Sequence, residues 1–152
     1  MLERILPPQI DNTYRGHKLA LWLFALVVAV RAVQSLFIIF NGYSVAQRAD
    51  GIPLDTFAPE AAQTVVSLFA LYSLTRLIIV LLCALALVRY RSAIPFMFAL
   101  LLLGYLGGQL ILYFLPLART GTPPGPLVNL VTFVLMVIGL ALSLWKRGGR
   151  KI

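Results

Sequence analysis

Four long apolar runs, separated by short clusters of Gly, Pro, Asn and charged residues, organise this chain from end to end. They cover about Leu19 to Phe40, Val65 to Val88, Phe96 to Leu115 and Leu127 to Trp145. Roughly 20 mostly apolar residues cross a hydrocarbon core of about 30 Å as an α-helix. The runs are continuous rather than alternating, which argues against strands, and four strands could not close a barrel. The pattern predicts an all-α integral membrane protein, a four-transmembrane-helix bundle running up-down-up-down, with one membrane domain over residues 1–152.

The polar punctuation predicts an outer loop at 41–64, a cytoplasmic turn at 89–95 and an outer Pro/Gly loop at 116–126. Asn41-Gly42 is expected to end the first span. Pro59-Glu60 supplies a helix start, proline being tolerated there and an acid favoured at the positive helix end. Pro95 sits where a helix accepts proline, and Thr120 to Pro126 reads as non-helical.

Charge then orients the bundle. Nine Lys and Arg residues fall in the N-terminal tail (Arg4, Arg15, Lys18), the middle turn (Arg89, Arg91) and the C-terminal tail (Lys146, Arg147, Arg150, Lys151). The opposite side holds only Arg48 and Arg119, together with Asp50, Asp55 and Glu60. Because basic loops stay in the cytoplasm, both termini are expected there. The first apolar run reads as a span and not as a cleaved signal, since it exceeds the about 7–15 residues of a signal core and contains Arg31. The layout is that of many small four-span bacterial inner-membrane proteins, which is an architectural likeness and assigns no function.

Composition agrees. The 152 residues are 61% hydrophobic and 12% charged, with mean hydropathy +0.92; a soluble domain carries about 25% charged residues. The net charge of +8 does not indicate nucleic acid, because the basic residues flank the apolar runs instead of forming a basic patch. They meet the lipid headgroups of the bilayer.

The residues that stand out are polar groups within the runs. Arg31 and Arg76 lie near the middle of the first and second spans, where an arginine costs about 2.5–3.5 kcal/mol on insertion scales. No carboxylate lies within any of the four runs. Gln34 follows Arg31 by one helical turn, and Tyr72 precedes Arg76 by one turn. Tyr105 and Gln109 continue a polar stripe on the third span, and Asn129, Thr132, Met136, Gly139 and Ser143 mark one face of the fourth. Two readings arise for the arginines. Either the outer-loop acids Asp50, Asp55 and Glu60 dip inward to neutralise them, or Arg31, Gln34, Tyr72, Arg76, Tyr105 and Gln109 bind an external anion, to which guanidinium offers a planar two-point contact. The plain alternative for the uncharged residues is interhelical hydrogen bonding, about 0.6 kcal/mol each. Gly104 and Gly108 form a small-xxx-small motif expected to pack helices within the bundle, or else along a homo-oligomer seam.

No catalytic constellation is visible. The chain has one His and one Cys, far apart, so bis-histidine haem ligation within the chain is excluded, a zinc site is unsupported and no cofactor is expected. His17 reads as an interfacial residue and Cys83 as a packing residue. The primary expectation is a non-enzymatic accessory or structural subunit, with another membrane subunit or anionic lipid as partner. The alternative is a binder or transporter of an anionic or amphiphilic small molecule, such as a lipid, quinone or organic acid, acting through Arg31 and Arg76.

Overall fold

A computed structural model of the protein describes Ile5 and residues 9–145. Arg4, Lys146, Arg147, Arg150 and Lys151, which contribute to the charge asymmetry, lie outside the described residues. Four α-helices account for most of the rest: α1 Lys18–Ser44, α2 Pro59–Arg89, α3 Ile94–Phe114 and α4 Gly125–Leu144. All four are long and apolar enough to cross a membrane, and among the described residues there is no strand.

Each helix start extends past its apolar run, so the loops are shorter than the hydrophobic pattern suggests. At Asn41 the backbone leaves helical geometry (φ −131°, ψ 35°), yet α1 recovers and continues to Ser44, then through a π-helical turn at Val45–Ala49. The expected stop at Asn41-Gly42 is therefore a kink. Gly42 serves packing instead: a Cβ there would lie 3.0 Å from Val66 on α2. At the other boundaries, α2 opens with Pro59 and Glu60, α3 with Ile94-Pro95, and α4 with Gly125-Pro126. Proline lacks only an N–H that the first turn leaves unbonded anyway. The 120–126 segment thus yields its last two residues to α4.

Contacts between side chains and backbones show the helices running antiparallel to their main neighbours. Gly42 meets Val66 across α1 and α2, and Gly139 of α4 lies against the Phe98 ring of α3. The His17 N–H donates to the Leu142 carbonyl at 3.2 Å, where α1 meets the end of α4. The α1–α2 register set by Gly42 and Val66 brings Ser35 opposite Ser73 one heptad away. Both serines are fully buried and their hydroxyls have no hydrogen-bond partner. Small residues here let the two backbones approach closely.

The main core joins Phe24, Val27, Val28, Val80, Cys83, Ile94, Phe98 and Met136, in the half of the bundle nearer the termini. Phe24 and Phe98 meet edge to face, 4.9 Å between centroids. On α4 the buried residues are Thr132, Met136, Gly139 and Ser143, spaced four, three and four apart. α3 is different. Its buried residues, Ile94, Pro95 and Phe98, all fall in its first five positions, and from Gln109 onward every residue of α3 except Leu112 is exposed. α3 packs mainly on α4 and meets α1 and α2 through its first turns, by way of Ile94 and Phe98. The helix is thus packed into the bundle at its start and exposed over its last turns.

Both ends are covered by ordered segments. Near the termini, Asp11 and Ser92 are joined by three hydrogen bonds of 2.8–3.2 Å, and Tyr14 packs against the core. Burial pushes the Tyr14 hydroxyl up to about 12. The His17 ring caps α1, its Nδ1 accepting from the Leu19 N–H at 3.1 Å. At the loop end, Ala46, Ile52, Leu54 and Ala62 form a second small core. Gly51, at φ +76°, makes the turn that lets its carbonyl accept from the Thr120 N–H at 2.8 Å.

The two helix surfaces respond differently to a methyl group. Gly139→Ala would overlap the buried Phe98 ring and is expected to cost about 1–3 kcal/mol. Gly104→Ala meets nothing within 4 Å and should leave stability level or raise it slightly. Thermal unfolding of both variants in one detergent, followed by circular dichroism, checks the contrast; equal melting temperatures would contradict this packing.

Candidate functional site

The two arginines converge on one oxygen. Arg31 donates from Nη1 to Gln34 Oε1 at 3.5 Å, and Arg76 donates from Nη2 to the same oxygen at 3.3 Å. Arg31 Nη1 also reaches Asn129 Oδ1 on α4 at 3.1 Å. The Arg76 guanidinium lies over the Tyr72 ring, 5.8 Å from its centroid, within cation–π range. Tyr72 and Tyr105 sit within electrostatic reach of Arg31. Three helices thus contribute hydrogen-bonding groups to one site, and the i+3 spacing of Gln34 from Arg31 places it between the cations.

Geometry also moves the charges away from mid-depth. The Arg31 and Arg76 α-carbons are near the helix centres, but Asn129 is only four residues into α4, about 6 Å from its loop end at 1.5 Å per residue. Side chains on a helix lean toward its N-terminus, which for α2 is the loop end. Both guanidinium heads therefore gather in the half of the bundle toward the loops.

Two like charges held this way repel, and the effect of Arg76 on Arg31 is unfavourable. Because both touch the same oxygen, the bonding nitrogens are separated by no more than about 7 Å. At an effective dielectric of about 20 that repulsion is roughly 2 kcal/mol. One amide oxygen cannot cancel it. Among the described residues neither arginine has an ion pair.

The loop acids fare unequally. Asp55 and Glu60 are exposed, with no side-chain bond to either arginine. Asp50 is half-buried beside Gly125 at the start of α4, where a Cβ would stand 2.7 Å from its Oδ1. It feels Arg119 and Arg76 through space. Burial raises the Asp50 carboxyl above its ordinary value, and Arg119 and Arg76 pull against that rise.

Gln109 is not brought to the pair. It is exposed, and lines a hollow of about 330 Å3 with Leu112, Tyr113, Pro116, Leu117 and Arg119. Tyr105 stacks on Phe133, 4.7 Å between centroids. Gly104 and Gly108 have open space beside them, so the expected close packing within the bundle is absent. Sequence reasoning did not single out Asn129 as an arginine partner or Asp50 as distinct from its neighbouring acids. Asn129 was visible only as one member of a weakly polar face.

Comparison with family models, curated proteins and solved structures gives no match. The fold and site thus define a class and no more: an all-helical protein with four helices apolar enough to cross a membrane.

The shared oxygen makes a double-mutant prediction. Gln34→Leu leaves both cations with a lost acceptor and is expected to cost about 1–3 kcal/mol in thermal stability. In an Arg76→Leu background the same change should cost clearly less, because the two residues are coupled. Additive losses would show that Gln34 does not bridge the pair.

Proposed function

We propose that this protein is a membrane-embedded binder of an anionic amphiphile, whose headgroup is held by Arg31 and Arg76. The observation that carries the reading is the convergence of two guanidiniums on Gln34 Oε1 without a carboxylate partner. An oxyanion seated there relieves their repulsion and accepts the N–H donors that the one amide oxygen leaves over. Exposed Leu68, Leu71 and Tyr72 on α2, on the turns leading to Arg76, offer an apolar surface against which a tail can lie. In this reading both termini face the cytoplasm, by the positive-inside rule, and the arginine site lies toward the outer leaflet of a bacterial inner membrane. The end near the termini is filled by the Phe24 and Phe98 core and by the Asp11–Ser92 contact, which favours binding over passage.

A second reading, an accessory subunit of a larger assembly, is favoured by a different surface. Gly104, Gly107 and Gly108 present a helix backbone with nothing packed against it. Such a surface accepts another helix closely. The two readings are compatible, since the arginine site is built by α1, α2 and α4 and the glycine surface belongs to α3.

The first is tested by native mass spectrometry of protein released from phosphatidylcholine nanodiscs containing phosphatidylglycerol. Wild type is expected to retain the anionic lipid selectively. Arg31→Gln with Arg76→Gln should lower that retention about tenfold or more, a loss of roughly 1.4 kcal/mol or greater. Retention unchanged in the double variant removes the proposal.

For the second, Gly104→Leu with Gly108→Leu should leave the melting temperature of the isolated protein unaltered while dispersing any assembly seen in the same spectra. A large loss of intrinsic stability would instead place these glycines in an internal contact.

A further inference from the structure

Asp50 is the acid nearest in effect to the arginine site, and its position is built. The π-helical turn Val45–Ala49 delivers it to the start of α4, where a Cβ on Gly125 would touch both Asp50 Oδ1 and the Ala49 carbonyl. The following residue, Gly51, is clasped to the α3–α4 loop: its carbonyl accepts from the Thr120 N–H at 2.8 Å and from the Thr120 hydroxyl at 3.2 Å. A Cβ on Gly51 would stand 3.0 Å from the Pro123 ring, so the proline closes over this glycine. Ile52 and Leu54 anchor the far side of the turn in the small loop-end core. The carboxylate is thereby held half-buried at the mouth of the bundle.

The charged groups facing it are Arg119 from the α3–α4 loop and Arg76 from α2, together with the positive end of the α4 backbone. Arg48 on the same turn is exposed, as are Asp55 and Glu60 further along. No ion pair joins Asp50 to Arg76 or Arg119 within 4.0 Å among the described residues. Gly125, against which Asp50 Oδ1 stands, lies one helical turn before Asn129, the α4 partner of Arg31, so the carboxylate faces the arginine site from its loop side without filling it.

We propose that Asp50 is the built-in competitor of the arginine site: its carboxylate repels an arriving oxyanion and shares the attraction of Arg76, so neutralising Asp50 strengthens anion binding. This rests on the binding role assigned above to Arg31 and Arg76. The shared ligand chemistry is a singly charged phosphate diester, whether a lipid headgroup or a free anion. The direction with pH follows from the burial of Asp50. Burial raises its carboxyl above the ordinary 3.8, so protonation begins at higher pH than for a free aspartate. As pH falls from 7 toward 4.5 the competing charge is progressively removed and the anion binds more tightly.

The experiment uses the full chain in phosphatidylcholine nanodiscs. One arm adds phosphatidylglycerol to the bilayer and the other adds dimethyl phosphate to the buffer; both probes stay singly charged across this range. Affinity is measured at pH 7, 6, 5 and 4.5 for wild type, Asp50→Asn, and Arg31→Gln with Arg76→Gln. Asp50→Asn is expected to bind about fivefold or more tightly than wild type at pH 7, in line with typical site–site coupling. Its affinity should be flat with pH, while wild type rises toward it on acidification. The arm that responds identifies the source, lipid or free anion. If the arginine variant loses binding but Asp50→Asn matches wild type at every pH, the competitor role is overturned and the arginine site stands. If the arginine variant binds as wild type does, both fall together.

Discussion

The long polar side chains at the centre of this bundle are arranged around the cost of two guanidinium groups among apolar helices. Arg31 and Arg76 come together on Gln34 Oε1, with Asn129 on one side and the Tyr72 ring on the other. Hydrogen bonds from neutral partners lower the price of burial but leave two positive charges side by side. Such a site is electrostatically incomplete by construction. That incompleteness, more than any motif, gives the protein its chemical character.

Packing is uneven along the bundle. Phe24, Phe98, Ile94 and Met136 fill the half near the termini, and the Asp11–Ser92 contact closes it. Toward the loops, the last turns of α3, from Gln109 onward, are exposed apart from Leu112. Ser35 and Ser73 keep α1 and α2 close enough for Arg76 to reach across the seam to Gln34.

The loop end adds a second electrostatic layer. Gly51 takes a left-handed turn, and its clasp to Thr120 fixes where Asp50 stands. Arg119 and Asp50 thus stand on the loop side of the Arg31 and Arg76 pair, with Asp50 within electrostatic reach of Arg119 and Arg76. Asp55 and Glu60, chemically equivalent and only a few residues away, stay exposed and take no part. Position, and not residue type, separates the acid that matters electrostatically from the two that do not.

The four helices, the arginines inside them and the buried face of α4 were legible in the amino-acid order, because hydrophobicity and a period of 3.6 residues are local properties. Thr132, Met136, Gly139 and Ser143 carry that period openly. Helix ends were less legible, since Asn41-Gly42 reads as a stop until Val66 packs against it, and Pro126 reads as a breaker until it falls in a first turn. Which acid approaches the arginines, which stripe faces inward and whether Gly104 and Gly108 meet a neighbour depend on helix register and tilt. Those are set by contacts between residues dozens of positions apart, Gly42 with Val66 and Gly139 with Phe98 among them. Only the tertiary structure decided them: a helix pattern specifies a face, while the neighbour that covers it, or leaves it open, is chosen by packing across the whole bundle.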